Sequence, residues 1–328
     1  MARFLLLFLE RSARKGGALV QRFKKLLVAI TPDMQEQPAL RRAVQLAQSN
    51  DAELDVIEIM EETPHHAGLL MKRLRVEATL EDIKRETMGR LEALVTPLKV
   101  TGIKVNTHVA TGTPFLEIIR TALRYHHDLV VKAIEPEREW KQMFLGSTDL
   151  HLLRKCPGGL WLVKPAEPTR YRRILVAIDP DMEDPVKREL AVHLLHMATS
   201  LAQSEGAELL IGHAWTPFAE GKFKDHLNTA EFRSYLRSSR QESASRLQTL
   251  LSIIGVIPSQ KVYLAKGKAS IVIPRLAKRH AVDLVVMGTI GRSGIPGLLI
   301  GNTAERLLNQ LECSILTIKP PGFVSPVS

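Results

Sequence analysis

The chain has 328 residues, 45% of them hydrophobic, and a formal net charge of +10. This length predicts about two domains, and the composition is that of a protein with compact cores. No run approaches the roughly 18 apolar residues that cross a bilayer, so the sequence excludes a transmembrane segment. The apolar run at residues 4–9 is short and followed by charge, which argues against a signal peptide and predicts a cytoplasmic protein.

The positive charge is concentrated at the start of the chain. Residues 1–25 contain seven basic residues against one acidic residue, which is +6 of the total of +10. A basic, partly apolar extension at residues 1–20 could bind a membrane or a polyanion. A disordered extension or an early start codon would explain the same residues. Nucleic-acid binding is therefore the weaker interpretation.

The sequence contains an internal duplication. The sequence HDLVVKA at residues 127–133 recurs as VDLVVMG at 282–288, 155 positions later, and LVAITPDM at 27–34 recurs as LVAIDPDM at 175–182, 148 positions later. The repeat predicts two equivalent domains. Their expected boundaries are 21–164 for the first half and 172–320 for the second half, with a proline-rich linker at 165–171 and a C-terminal tail at 321–328.

Each half alternates apolar, β-branched runs with longer amphipathic stretches, including a long helix near residues 229–254. This order predicts an α/β fold, with two tandem doubly wound, five-stranded, parallel-sheet (Rossmann-like) domains. Strands 159–164 and 314–319 would be apolar edges, so we expect them to pair and join the domains as a pseudo-dimer. The strands of the second half are expected near 173–179, 208–215, 261–265, 283–288 and 314–319.

The most informative segment is MGTIGRSGIPGLLIGNTAE at residues 287–305, which follows a buried strand and leads into a helix. Glycines let backbone N–H groups approach a ligand closely, and helix N-termini favour anions. Asn302 and Thr303 are N-cap residues for that helix. The segment predicts a phosphate cradle, and a plain connecting turn is the alternative.

Cysteine and histidine do not suggest a metal centre. Cys156 and Cys313 occupy equivalent places before the last strand of each half, which predicts core positions without a disulfide. The adjacent pairs at 65–66 and 126–127 are interpreted as surface or helix-end histidines. We expect no metal ligands.

The spacing Gly288-x-x-Gly291, then nine residues and Gly301 with a small polar residue after it, resembles the ATP-binding signature of the universal stress protein family. The resemblance covers residues 24–320. Together with one eroded half, it is most similar to the E-type tandem members. These are cytoplasmic proteins associated with stress and DNA-damage resistance.

The resemblance implies a role for each matching residue. Asp179 and Pro180 would face the nucleoside, and Ala214 would lie against adenine. The family usually has Ser or Thr at the position of Asn302, so a hydroxyl donor is replaced by an amide. Arg292 fits a phosphate partner by charge, or a solvated loop arginine. The residues implied along the ribose and phosphates are Met287, Gly288, Gly291, Gly301, Asn302 and Thr303.

The first half has lost this pattern. Ala133 replaces Gly288, Pro136 replaces Gly291 and Thr31 replaces Asp179. Glu135, Glu137 and Glu139 would also repel a nucleotide. We therefore expect the first half not to bind ATP.

The resulting hypothesis is a stress-response protein that binds ATP, with or without Mg²⁺, through its second half and acts as a non-enzymatic regulator. A slow ATPase or phosphotransferase is one alternative, although the Gly-x-x-x-x-Gly-Lys-Ser/Thr pattern is missing. Binding of nucleic acid through the extension, or of an apolar metabolite, is another. Whether two chains form a homodimer is left open.

Overall fold

The computed structural model of the chain describes residues 23–31, 37–60, 80–99, 102–134, 145–166, 168–254, 261–289 and 302–327. They pack into two compact units. The N-terminal unit comprises Phe23–Pro168 together with Thr289–Ser328, and the central unit comprises Thr169–Gly288.

The N-terminal unit has five parallel strands in the order β3-β2-β1-β4-β5, with β10 next to β5. Helices follow most strands, so each parallel connection is a crossover. The elements are β1 Lys25–Ile30, α1 Pro38–Asn50, β2 Glu53–Met60, α2 Leu80–Lys99, β3 Val105–Thr111, α3 Pro114–Arg124, β4 Leu129–Ala133, α4 Ser147–Lys155, β5 Gly159–Val163, α9 Asn302–Leu308 and β10 Ser314–Ile318.

The central unit repeats this plan with four parallel strands among its described residues, in the order β9-β6-β7-β8. The predicted helix at 229–254 is confirmed as α7. The elements are β6 Arg173–Ala177, α5 Pro185–Glu205, β7 Glu208–Trp215, α6 Glu220–His226, α7 Thr229–Ile254, β8 Lys261–Lys266, α8 Ala269–Arg279 and β9 Leu284–Gly288. The expected α/β class with mostly parallel sheet is therefore confirmed.

The last strands of the two halves pair, as predicted. β10 runs antiparallel to β5, with Leu316 opposite Trp161, and both side chains are buried. Both strands are buried along their whole length, and their pairing removes an edge that would otherwise expose unpaired backbone groups. The domain boundaries drawn from the sequence stay a prediction. In the compact packing, residues 302–327 group with the first half.

Local signals explain where the elements begin and turn. Asp184 caps α5 by accepting hydrogen bonds from the N–H groups of Val186 and Lys187. Gly112 and Gly267, which are 155 positions apart, both have positive φ, 143° and 136°, where β3 and β8 turn into the next helix. The duplication thus extends to individual backbone conformations. Among the described helices, none is long and apolar enough to cross a membrane.

Strand order reverses at one place in each unit. In the N-terminal unit the chain leaves β1 towards β2 and β3, and returns on the other side of β1 with β4. In the central unit the same reversal lies between β6 and β9. Ligands of doubly wound sheets bind outside the carboxyl ends of the strands at this reversal.

Candidate functional site

The central unit brings five of the predicted residues to the carboxyl edge of its sheet. β6 and β9 pair in register up to Ala177 opposite Met287, so Asp179 and Gly288 follow neighbouring strand ends. β7 lies on the other side of β6, and the N–H of Ile178 donates to the carbonyl of Gly212 at 3.0 Å. Ala214, two residues further along β7, shares this edge.

These residues include one exposed charged side chain and three buried apolar ones. Asp179 is exposed, whereas Pro180, Ala214 and Met287 are buried. An exposed carboxylate beside buried apolar side chains suits a ligand with hydroxyl donors and a flat apolar part.

Gly288 has a structural reason to be glycine. A Cβ at this position would lie 2.7 Å from Cδ2 of Leu190 on α5, and Gly288 does not have a positive φ. Close packing of α5 therefore favours glycine here, and a left-handed backbone is not the reason.

The remaining predicted residues are not tested by this geometry. Gly291, Arg292 and Gly301 lie outside the described residues, as do the glutamates and the proline predicted to block the first half. Asn302 begins α9 and Thr303 follows it, and both belong to the N-terminal unit. Their roles stay predictions.

The loop after Asp179 neutralises much of its own acidity. Lys187 Nζ lies 3.0 Å from Asp181 and 3.5 Å from Asp184. The hydrogen bond from Lys187 lowers the pKa of Asp181, and although burial lowers the pKa of Lys187, the two aspartates outweigh it and raise that pKa. The Lys187 charge therefore offsets part of the negative charge that Asp181 and Asp184 place near Asp179.

The first half fills the equivalent place with an internal ion pair. Lys132 occupies the position of Met287 in the repeat, and Asp149 that of Ala304. Lys132 Nζ lies 3.1 Å from Asp149 Oδ1, and the two side chains are 6% and 2% exposed. The sequence interpretation missed this pair, although a lysine inside the apolar strand LVVKA was a usable signal.

Comparison with known proteins now decides the family. The model of the universal stress protein family matches residues 22–164 and again 170–319. The chain belongs to the universal stress protein family. Two matches make it a tandem member, as the sequence resemblance indicated.

Its relatives include E-type tandem proteins along their full length. Universal stress protein E of Salmonella typhi is 30% identical over 317 residues, covering 93% of this chain and 97% of that protein. The Escherichia coli K12 protein of the same name is 28% identical, covering 93% and 96%. A putative universal stress protein from Pseudomonas aeruginosa UCBPP-PA14 has a similar solved structure, with a TM-score of 0.68 at 26% identity, covering 91% of this chain and 94% of that one.

The sequence did not predict one buried polar cluster in this universal stress protein. Asp55 on β2 lies 2.9 Å from Nε2 of His108 and 3.1 Å from Nε2 of His127, and it accepts a hydrogen bond from Asn106 at 2.8 Å. The surface interpretation of His127 was therefore wrong, because its side chain is 2% exposed. His126 beside it is exposed. Burial raises the pKa of Asp55, but the hydrogen bonds from both histidines and Asn106 outweigh it and hold that pKa well below its usual value.

Both cysteines are buried and neither forms a disulfide, so the expected core positions are confirmed. Burial raises the pKa of the Cys156 thiol to about 11, so it is protonated at neutral pH. Within the described part of this universal stress protein, no three His, Cys, Asp or Glu side chains form a group that could hold a metal ion.

Proposed function

We propose that this stress-response protein binds ATP through its second half and acts as a non-enzymatic regulator in the cytoplasm. The observation that carries the proposal is the meeting of Asp179, Ala214 and Met287 at the strand reversal of the central unit. Family membership gives that place its nucleotide interpretation, and the glycine-rich sequence after Met287 supplies backbone donors for phosphates.

Each group has a distinct task in this proposal. The Asp179 carboxylate accepts hydrogen bonds from ribose hydroxyls, while Ala214 and Met287 offer apolar surface to the base. The loop after Gly288 binds the phosphates, with Asn302 and Thr303 as further donors and Arg292 as a charged partner. The protein then signals through its conformation, and resistance to DNA-damaging agents is the proposed outcome.

Isothermal titration of the full chain with ATP, with and without Mg²⁺, tests the site. We expect one ATP per chain, and Asp179→Ala should weaken binding by about tenfold or more because it removes a charged acceptor. Thr31→Ala, at the equivalent position of the first half, is the matched control and should bind like the wild type. Equal loss in both variants, or a second ATP per chain, would contradict the assignment.

A second pair of variants tests the phosphate loop. Gly301→Val should abolish binding by blocking close backbone approach. Gly146→Val is its counterpart in the first half, where an added Cβ meets nothing within 4 Å. Unchanged affinity in Gly301→Val would exclude the loop from the site.

Catalysis and nucleic-acid binding are the competing functions, and each has its own readout. ATP turnover well above the background rate that disappears in Asp179→Ala would establish an ATPase. Binding of DNA that weakens steeply with salt and is lost when residues 1–20 are deleted would establish a nucleic-acid role.

A further inference from the structure

The two halves share a polar bridge from one strand position to the long helix that follows. His213 is the sixth residue of β7 and Glu58 the sixth residue of β2, and the positions are 155 residues apart. Both side chains are buried. The same strand position therefore links a strand to a helix in each half, but with a different side chain.

In the first half the bridge is an ion pair. The Glu58 carboxylate accepts a hydrogen bond from Nη2 of Arg90 on α2. An arginine and a carboxylate form a strong, charge-assisted contact that holds a helix in one place.

In the second half the bridge is a histidine with two separate partners. Nδ1 of His213 lies 3.0 Å from the carbonyl oxygen of Ile178, and Nε2 lies 2.9 Å from Oγ of Ser243 on α7. A carbonyl only accepts, so Nδ1 must carry the proton and donate to Ile178. The ring thus joins the end of β6, the strand β7 and the long helix.

This histidine is adjacent to two proposed nucleotide contacts. Ile178 immediately precedes Asp179, and Ala214 immediately follows His213. A shift of the imidazole would therefore displace the carbonyl of Ile178, next to Asp179, and the part of β7 that carries Ala214.

The helix at the other end of the bridge has few deep anchors. Among the described residues of α7, only Leu247 and Leu250 are fully buried, and both follow Ser243. Upstream of Ser243 the helix is held mainly at its surface, including the hydrogen bond from the Tyr235 hydroxyl to the carbonyl of Phe218. Segments with little buried apolar surface open at low free energy.

We propose that His213 is a positioning residue that aligns the end of β6 for the nucleotide and couples nucleotide occupancy to the order of α7 through Ser243. The proposal rests on the proposed function, since it assigns the output of the same site. The output element is the exposed part of α7, residues 229–243.

Two substitutions separate the two hydrogen bonds. In His213→Asn, the amide nitrogen takes the place of Nδ1 and can still donate to Ile178, but nothing reaches Ser243. In His213→Gln, the amide reaches towards Ser243 and the bond to Ile178 is lost. Ser243→Ala removes only the helix side, and Ser245→Ala, an exposed serine on the same helix, is the matched control.

ATP affinity and amide hydrogen exchange of residues 229–243, with and without ATP, give the readouts. His213→Gln should lose about tenfold in affinity, whereas His213→Asn and Ser243→Ala should stay within about threefold of the wild type. ATP should slow exchange in the wild type and Ser245→Ala, and have no effect on it in Ser243→Ala or His213→Asn. Wild-type affinity in His213→Gln, or unchanged ATP protection in Ser243→Ala, would overturn the proposal.

Exchange without nucleotide separates this proposal from the proposed function. Ser243→Ala should speed exchange across residues 229–243, and His213→Gln should speed it at Ile178 and Asp179, whether or not ATP binds. Unchanged exchange in both variants overturns the bridge itself. A wild-type protein that binds no ATP overturns the proposed function and with it the coupling to nucleotide.

Discussion

Equivalent positions in the two halves carry opposite chemistry. Lys132 and Asp149 form a buried ion pair where the second half has Met287 and Ala304, and Asp55 with His127 stands where the second half has Leu210 and Val282. The backbone plan is the same in both. The first half thus buries polar and ionic contacts at these positions, whereas the second half has apolar side chains there, and this difference can be tested position by position.

The largest expected effect comes from breaking the Lys132–Asp149 pair. Lys132→Met should cost about 4 kcal/mol in the free energy of unfolding, because it removes the cation beside a buried carboxylate. The double variant Lys132→Met/Asp149→Ala copies the second half and should lie within about 1 kcal/mol of the wild type, since a well-packed apolar pair can replace an ion pair. Urea unfolding measures both. A double variant as unstable as the single one would show that the stability lost comes from contacts outside the Lys132–Asp149 pair.

The Asp55 cluster should give a smaller, pH-dependent loss. Asp55→Ala leaves two histidine donors without their acceptor and should cost about 2 to 3 kcal/mol at pH 7. Because the folded-state pKa of Asp55 is lowered, its stabilisation is present above the unfolded pKa of about 4 and is lost as the pH falls through the folded value. The difference between wild type and variant in urea unfolding should therefore shrink below pH 4. A difference that grows in acid would contradict this assignment.

Lys319 offers a contrast at alkaline pH. Its Nζ donates to the carbonyls of Leu153 and Arg154 at the end of α4, and burial lowers its pKa to about 8. Between pH 8 and 10.5 the unfolded chain holds a proton that the native lysine has released, so native stability should rise with pH. Relative to Lys319→Met, the wild type should gain about 2 kcal/mol across that window in urea unfolding.

Lys164 provides the control for this prediction. It is 155 positions earlier, in the equivalent place of the first half, and its half-exposed side chain donates to the carbonyl of Glu312. Lys164→Met removes an ammonium that water can reach. The stability difference between wild type and Lys164→Met should depend little on pH. If it rises with pH as steeply as the difference for Lys319→Met, burial of the lysine does not explain the effect at Lys319.

The smallest effect concerns Gly288, whose counterpart in the first half is Ala133. Gly288→Ala brings a Cβ against Leu190 and should cost about 1 kcal/mol, since the leucine end can rotate away. In a Leu190→Ala background the same substitution should be neutral. Thermal unfolding of the wild type, the two single variants and the double variant measures the coupling between the two positions. Additive effects on stability would rule out the contact.

The sequence predicted the features that depend on local pattern and on the repeat. The long stretch of mixed polar and apolar residues near 229–254 predicted helix α7, and the β5–β10 pairing followed from two apolar runs that needed cover. Strand order alone predicted that Asp179 and the loop at Gly288 follow carboxyl ends of strands.

The features that the sequence did not predict depend on partners distant in the chain. Asp55 and His127 are 72 positions apart, and adjacent histidines gave no sign that one would be buried. Ser243 is 30 positions from His213, and helical periodicity does not mark which serine meets a strand. The grouping of residues 302–327 with the first half depends on packing between segments that local patterns do not describe.

The antiparallel neighbour of β5 has a consequence for synthesis. Lys164, just after β5, and Ser314, which begins β10, bond to each other across 150 residues. At about 5–20 residues per second, a ribosome needs on the order of 10 s to make the intervening segment. During that interval the apolar edge of β5 is uncovered on the nascent chain, so the N-terminal unit, although translated first, is the last to be completed.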